Sequence, residues 1–467
     1  MNKRFPNSFK WGAAASAYQI EGAADTDSRG LSVWDTFCNV EGAIKNGDTA
    51  RVSCDHCRLY QDDIRLMSEI GLDAYRLSIS WPRILPDGKG RLNAKGVAFY
   101  DELIDFLLAV GIEPWVTLFH WDFPETLYRQ GGWLNRDSAK WFADYVAVVV
   151  ENYSDRVSHW VTINEPQCFL QLGHREGIHA PGLRLTLPDV TEAAHNVLLA
   201  HGEGVRSIRA SSVLDPIIGI APVGDVKVPF SHKPEDVEAA RSASMSPSNE
   251  TLWSSIWFCD PALLGTYPSE DPESPGGPCS QQWIDDLDII HQPIDFIGLN
   301  IYSASSVRSL PDGQVVEVPF PVGGPRTAFG WPVVPEALYW GPKFFHERFG
   351  VPIVVAENGM SNTDWVASDG AVHDPQRIDF LGRYLRALRR AMDEGVSVLG
   401  YFHWSLLDNF EWAEGYSQRF GLVHVDFETQ QRTLKDSAYW YRDVIRSRGS
   451  TLFGQAATPL AESVKIG

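Results

Sequence analysis

Cysteine is scarce in this chain, with six residues among 467. They are scattered, and only Cys54 and Cys57 stand at a C-x-x-C spacing. A zinc site of this type needs a second pair at zinc spacing, which the sequence does not offer. The pair also lies inside a helical pattern, so we expect buried or half-buried free thiols rather than a redox or metal centre.

Basic residues and long apolar runs are also in short supply. Lys and Arg total 40 against 60 Asp and Glu, a formal charge of −20. Because nucleic-acid binding relies on cations that neutralise phosphates, a nucleic-acid partner is not expected. No apolar run reaches the roughly 18 residues of a membrane helix, and residues 1–7 lead into core-like sequence without the apolar segment of a signal peptide. The sequence therefore predicts a folded, cytoplasmic protein without a membrane partner.

Short apolar runs suited to buried parallel strands recur eight times. They stand at 9–13, 74–79, 114–119, 160–163, 217–221, 296–299, 353–356 and 398–402. Helical stripes lie between several of them, and the first comprises Tyr100, Leu103, Ile104, Leu107 and Leu108. Glycines stand where helices should end before the next strand, at Gly71, Gly111, Gly350 and Gly395. Eight such alternations without a linker predict an α/β fold, a single (β/α)8 TIM barrel over 1–467.

Three stretches rich in Pro, Gly and Ser do not fit a minimal barrel, at 229–249, 266–280 and 305–335. We expect long loop insertions there, at the C-terminal face of the barrel. Such loops either shape the entrance for a substrate or decorate the surface.

Polar residues repeatedly follow an apolar strand directly. The segments are His120-Trp121-Asp122, Asn164-Glu165-Pro166, Asn300-Ile301-Tyr302, Glu357-Asn358-Gly359 and His403-Trp404. The carboxyl ends of barrel strands form the face that carries active sites, so Glu165 and Glu357 should meet at one rim. Either glutamate alone could be an ordinary loop residue. A carboxylate pair, however, is what glycoside hydrolysis requires.

The 17 tryptophans give independent support for a sugar ligand. Aromatic rings pack on the C–H faces of sugars, and the indole N–H donates a hydrogen bond. Most tryptophans should belong to the core. Trp404, Trp412 and Trp331 stand beside polar residues after strands, and we select them as candidate sugar contacts.

At these residues the sequence closely resembles glycoside hydrolase family 1, over about residues 5–446. The motifs that carry the resemblance are Phe9–Gly12, Ser16–Gly22, Arg76–Ile84, Thr117–Asp122, Thr162–Pro166, Glu357–Gly359 and Tyr401–Trp412. The resemblance implies that Glu165 is the general acid/base and Glu357 the nucleophile of a retaining β-glucosidase. It also implies sugar contacts from Gln19, His120, Asn164, Trp404, Glu411 and Trp412, with Asn164 on the 2-hydroxyl and Trp404 as the stacking platform. Arg76 and Tyr302 resemble the family's supporting partners of the nucleophile, and Asn300 is a further supporting residue.

These roles make demands on the two glutamates. The environment should raise the pKa of Glu165 and keep Glu357 ionised, with Arg76 lowering the pKa of Glu357. Ala15 and Ala356 stand where the family commonly has Thr, the latter just before the nucleophile, so we expect one local hydroxyl hydrogen bond to be absent. Gln167 and His174 depart from a frequent Trp and Tyr, at positions expected near the entrance.

The resemblance implies hydrolysis of terminal β-D-glucosyl residues from β-glucosides and cello-oligosaccharides, with no metal and no organic cofactor. His120 and His179 are expected to contact sugar or pack in a loop rather than bind a metal. Side activity on β-galactosides or β-fucosides, glycosyl transfer to an acceptor, and a non-catalytic sugar-binding barrel are the alternatives. A homo-oligomer is compatible with the sequence.

Overall fold

The computed structural model describes residues 4–248, 250–271 and 276–453. Eight parallel strands form a closed barrel, so the predicted fold is confirmed. The strands are Lys10–Ala14, Ala74–Ser78, Glu113–Phe119, His159–Asn164, Ile217–Ala221, Phe296–Asn300, Ile353–Asn358 and Val398–Trp404. Each predicted strand is present, and its ends differ from the prediction by at most two residues.

Each barrel strand pairs with the next one along the chain, and the eighth closes on the first. In that closing pair Ala14 lies opposite Trp404. Because all strands are parallel, their carboxyl ends form one rim. The rim therefore brings together Asn164, Glu357 and Trp404, which lie in the last two positions of three of the strands.

Side chains alternate between two apolar cores along each strand. In the eighth strand Phe402 belongs to a compact cluster with Trp115 and Phe296, whereas the neighbouring Tyr401 packs in the larger core. Gly12 is needed beside the compact cluster, because a Cβ there would lie 2.4 Å from the Phe402 ring. The barrel interior is thus filled by aromatic side chains, and open space remains at the rim.

Helices surround the strands. Those of ten residues or more are His56–Ile70, Ala94–Ala109, Ser138–Tyr153, Leu187–Ser211, Pro234–Ser244, Ala337–Phe349, Pro375–Asp393 and Asp436–Arg446. Shorter α-helices are Ala17–Ile20, Val33–Phe37, Trp81–Ile84, Glu125–Tyr128, Pro166–Leu170, Ile256–Leu264, Gln281–Asp285 and Leu287–Ile290. The predicted stripe on Ala94–Ala109 is buried except for Leu108, which is exposed. All four predicted helix-ending glycines have positive φ, as left-handed helix ends require.

The expectation of plain loops in the insertions is wrong for two of the three stretches. Lys227–Pro229, Ser305–Ser309 and Val315–Val318 form a small three-stranded sheet, and Pro234–Ser244 is a helix packed against it. The turn between the last two strands contains Gly313 at a φ of 86°, which suits a tight hairpin. Residue 249 and residues 272–275 of these stretches lie outside the described residues.

The cysteines are free thiols. Cys54 is buried and Cys57 half-buried as expected, although the helix begins at His56 and so includes only Cys57. Cys279 is exposed. In the part of the chain that is described, no helix combines the length and apolar character needed to cross a membrane. The single domain over 1–467 stays a prediction, and residues 454–467 lie outside the described residues.

Candidate active site

A cavity of about 510 Å³ opens at the carboxyl ends of the barrel strands. Most of the predicted site residues line it, namely His120, Glu165, Asn300, Tyr302, Trp331, Glu357, Trp404, Glu411 and Trp412. Gln19, Asn164 and Arg76 instead form a buried layer behind this lining. The structure thus brings the predicted residues together, with three of them one layer deeper than the wall.

Glu357 is the penultimate residue of the seventh strand and is held by two strong donors. The Arg76 guanidinium donates through Nη1 to Oε1 at 2.6 Å, and the Tyr302 hydroxyl donates to Oε2 at 2.6 Å. The side chains of Arg76 and Glu357 are 2% and 4% exposed, so this is a desolvated ion pair. Short, charge-assisted bonds on both oxygens favour the ionised carboxylate.

Glu165 directly follows the fourth strand and has weaker support. Asn300 Nδ2 donates to its Oε1 at 2.9 Å, and no guanidinium contacts it among the hydrogen bonds of the described residues. Its φ of 45° is unusual for a side chain with a Cβ. Trp121 and Trp412 also have positive φ, at 80° and 50°. Such backbone outliers cluster at functional sites because the surrounding structure must stabilise them.

The two glutamates have unlike protonation behaviour. Burial, followed by the charge of Glu357, raises the pKa of Glu165 to about 8. This matches the demand for a group that is protonated near neutral pH. Burial also raises the pKa of Glu357, although Arg76 and Tyr302 act in the opposite direction. Arg76 therefore acts on the pKa of Glu357 in the predicted direction, but desolvation outweighs the ion pair and the net change is upward.

Asn300 links Glu165 to the buried layer. Its Nδ2 donates to Glu165 Oε1 at 2.9 Å and to Asn164 Oδ1 at 3.0 Å. In the pairing of the sixth and seventh strands, Asn300 also lies opposite Glu357. The two glutamates therefore project from neighbouring parts of one rim, and the charge of Glu357 raises the pKa of Glu165.

Asn164 is the centre of the buried layer. Its Oδ1 accepts from Arg76 Nη2 at 2.6 Å, and its Nδ2 donates to Nε2 of His120 at 3.2 Å. Burial lowers the pKa of His120 well below the usual range, so the imidazole is neutral and can accept this bond. One asparagine thereby couples the nucleophile's arginine to the histidine in the cavity wall.

Aromatic rings and a third glutamate form the other side of the cavity. The rings of His120 and Trp404 stack at 5.8 Å, and Trp121 stacks on Trp412 at 4.5 Å. Burial, followed by the charge of Glu357, raises the pKa of Glu411 to about 8. Behind it, Gln19 Nε2 donates to Phe410 O at 2.9 Å and reaches Glu411 Oε2 at 3.5 Å. A ring-shaped, hydroxyl-rich ligand fits between this wall and the two catalytic candidates.

A cavity with paired carboxylates and aromatic walls agrees with what the comparisons find. The family model of glycosyl hydrolase family 1 matches residues 1–450. The chain belongs to glycosyl hydrolase family 1. It is 45% identical over 448 residues to β-glucosidase A of Thermotoga maritima, covering 96% of this chain and 99% of that protein. It is 40% identical to a bifunctional β-D-glucosidase/β-D-fucosidase of Bifidobacterium breve, covering 95% and 99%. The solved structure of the Thermotoga maritima β-glucosidase with glucoimidazole matches at a TM-score of 0.87 and 45% identity, covering 96% of this chain and 100% of that one.

Two of the positions at which the chain departs from the family pattern lie elsewhere than expected. Gln167 and His174 are buried, and neither lines the cavity. The Gln167 amide bonds the backbone of Val223, and His174 Nδ1 bonds the carbonyl of Phe169. The expectation that they lie toward the entrance is wrong, because both side chains turn into the loop packing.

The outer half of the family 1 cavity was missed from the sequence. Its lining is mainly apolar, with Leu172, Ile178, Val223, Val226, Trp253 and Phe329. These residues come from four separate segments without a motif, so no local signal marked them. His179 also lines the cavity, and burial lowers its pKa to about 4. Within the described ranges, no three His, Cys, Asp or Glu side chains are grouped as metal ligands.

Proposed function

We propose that this chain is a retaining β-glucosidase that removes terminal, non-reducing β-D-glucosyl residues, with Glu357 as nucleophile and Glu165 as general acid/base. The observation that carries this proposal is the unequal environment of the two glutamates. Glu357 has an arginine and a tyrosine hydroxyl on its oxygens, whereas Glu165 has an amide and a pKa of about 8. One carboxyl group can therefore be charged while the other carries a proton.

In the first step, a Glu357 oxygen attacks the anomeric carbon and forms a glycosyl ester. The bond from that carbon to the aglycone oxygen breaks, and Glu165 donates its proton to the departing oxygen. The negative charge of Glu357 is consumed as the ester forms. The pKa of Glu165 should then fall, because the charge of Glu357 is one of the causes that raise it.

In the second step, Glu165 is a carboxylate and accepts a proton from water. The water oxygen bonds to the anomeric carbon as the ester bond to Glu357 breaks. Glucose leaves with its β configuration retained, since both displacements invert. When the ester bond breaks, Glu357 departs as a carboxylate. The hydrogen bonds from Arg76 and Tyr302 stabilise that negative charge and so favour its departure.

For substrate binding, we assign the glucosyl ring to the inner half of the cavity. Trp404 is the proposed stacking platform, and His120, Glu411 and Trp412 are proposed hydroxyl contacts. Gln19 and Asn164 are also proposed hydroxyl contacts, although their side-chain amides already hydrogen-bond protein partners. Arg76, Asn300 and Tyr302 are proposed to hold the two glutamates without contacting the sugar.

The proposed substrates are β-glucosides and cello-oligosaccharides. Side activity on β-fucosides is a second candidate, favoured by the similarity to the bifunctional relative described above. A cytoplasmic location and a homo-oligomer stay predictions from the sequence.

Two variants test the assignment of the glutamates. Glu357→Gln should abolish turnover of 4-nitrophenyl β-D-glucoside. Glu165→Ala should still be glycosylated by 2,4-dinitrophenyl β-D-glucoside, whose leaving group needs no proton, and added azide should then release β-glucosyl azide. Formation of the α-azide, or full activity of Glu357→Gln, would overturn the assignment.

A further inference from the structure

A buried group of six charged side chains lies next to the active-site segments, and the mechanism above does not use it. It contains three cations and three anions, so it is neutral as a whole. Its members are Arg377, Arg419, Lys435, Asp364, Asp374 and Asp408. Five of these side chains are fully buried, and Arg419 is 21% exposed. None of the six lines the cavity.

Lys435 makes the contacts that join two rim segments. Its Nζ donates to Asp364 Oδ2 at 2.6 Å and to Asp408 Oδ1 at 2.7 Å. Asp364 belongs to the segment that leaves the seventh strand just after Glu357. Asp408 belongs to the segment that leaves the eighth strand and carries Glu411. One buried ammonium group therefore lies between the segment of the nucleophile and the segment of the sugar-binding wall.

Asp408 holds its own segment in a fixed shape. Its Oδ1 accepts from the Gly421 backbone at 2.9 Å, and its Oδ2 accepts from Arg419 Nη1 at 2.7 Å. These contacts connect the two ends of the loop that carries Glu411 and Trp412 into the cavity wall. A displacement of Asp408 would therefore move the whole loop.

We propose that Lys435 is a positioning residue, which sets the place of Glu411 and Trp412 relative to Glu357 by linking Asp408 to Asp364. Arg377 also reaches both segments, because its Nη2 donates to Asp364 Oδ2 and to the backbone carbonyl of Arg419, but within the group Lys435 is the cation that contacts both Asp364 and Asp408. Arg419 pairs with Asp408 on its own segment. Without Lys435, two buried carboxylates would face each other with one cation fewer, and their repulsion would separate the segments.

The inference rests on the proposed function, and a double-mutant cycle tests it. Lys435→Met keeps an unbranched side chain but removes the charge. We expect it to lower kcat/KM for 4-nitrophenyl β-D-glucoside by up to about 100-fold, because a displacement of about 1 Å has that effect. If Lys435 acts through Glu411, the double variant with Glu411→Gln should lose far less than the product of the two single losses.

Arg348→Met is the matched control for a general loss of packing. Arg348 forms a two-bond ion pair with the buried Asp260 on other helices, away from both rim segments. Its combination with Glu411→Gln should give the product of the single losses. Multiplicative losses in the Lys435 cycle, or wild-type kcat/KM in Lys435→Met, would overturn the proposal.

A second variant covers the case in which Lys435→Met does not fold. Asp364→Asn combined with Lys435→Met removes one anion and one cation, so the group stays neutral while the link is lost. It should fold and show the same non-multiplicative behaviour with Glu411→Gln, and multiplicative behaviour would refute the link. The same double-mutant cycle can be measured with the dissociation constant of deoxynojirimycin in place of kcat/KM. Because binding needs no hydrolysis, this measurement tests the inference separately from the proposed function. A wild-type chain that binds this glucose-shaped amine without hydrolysing glucosides would refute the function alone.

Discussion

Tyr302→Phe perturbs the nucleophile by a single hydroxyl group. The Tyr302 hydroxyl donates to Glu357 Oε2 at 2.6 Å, and its ring packs against Trp331 with centroids 5.4 Å apart. Phenylalanine keeps the ring and removes only the donor. A hydrogen bond to a charged group contributes about 1.5 to 3 kcal/mol, which corresponds to roughly one to two pKa units.

The direction of the pKa change in Tyr302→Phe depends on which protonation state of Glu357 the hydrogen bond stabilises. The hydroxyl bonds the ionised form and so lowers the pKa of Glu357, partly offsetting burial. Its removal should raise that pKa further. Because Glu357 must be charged to attack, the acid limb of kcat/KM against pH should move about one to two units toward neutral pH.

The assay is the pH dependence of kcat/KM with 4-nitrophenyl β-D-glucoside, measured for both forms. Tyr145→Phe is the matched control, since its buried hydroxyl bonds the carbonyls of Ile79 and Leu118 at 3.0 Å and does not contact the site. It should leave the acid limb in place. An unchanged limb in Tyr302→Phe would refute the claim that this hydroxyl stabilises the charged nucleophile.

Three further predictions follow from burial and close contacts. With 4-nitrophenyl β-D-glucoside, kcat/KM should fall above about pH 8, where Glu165 loses its proton, and this limb should persist in Glu411→Gln; with 2,4-dinitrophenyl β-D-glucoside, whose leaving group needs no proton, the limb should be much weaker. Arg377→Met should lower the free energy of unfolding in urea by about 3 to 5 kcal/mol, because it leaves two buried aspartates without their arginine. Gly359→Ala should lower kcat/KM by about 100-fold, since its Cβ would lie 1.8 Å from a backbone oxygen beside the site. Gly382→Ala, a helix position whose nearest neighbour is 3.4 Å away, should leave kcat/KM unchanged and raise the melting temperature.

The barrel and its rim could be predicted because their signals are local. Each strand is a short apolar run, and Glu165 or Glu357 follows its strand at once. The parallel arrangement then brings these strand ends to one edge, whatever their separation along the chain. The polar inner half of the cavity is therefore readable from the sequence.

The outer half depends on how insertions fold back, which has no local signal. Trp253 and Val226 reach the cavity from different segments. The strands Ser305–Ser309 and Val315–Val318 lie in a stretch whose Pro and Gly content indicated a loop. The pairing of Ser305–Ser309 with Lys227–Pro229 is a long-range contact that composition cannot reveal.

Electrostatics were predictable in direction only where one effect dominates. The raised pKa of Glu165 follows from burial beside a second carboxylate. For Glu357 the sequence indicated the arginine, which acts in the predicted direction, but not the degree of burial, which raises the pKa overall. The role proposed for Lys435 likewise depends on two aspartates that only the folded chain brings within 2.7 Å of it.

Trapping the glycosyl-enzyme is the most direct test of the central claim. 2-Deoxy-2-fluoro-β-D-glucosyl fluoride should react once and then stall, because the fluorine at C2 slows the second displacement. Mass spectrometry of the digested protein should find one fluoroglucosyl group, on the peptide that contains Glu357 and on that residue. A group on Glu165 or Glu411 instead, or turnover with inverted configuration and no adduct, would contradict the account.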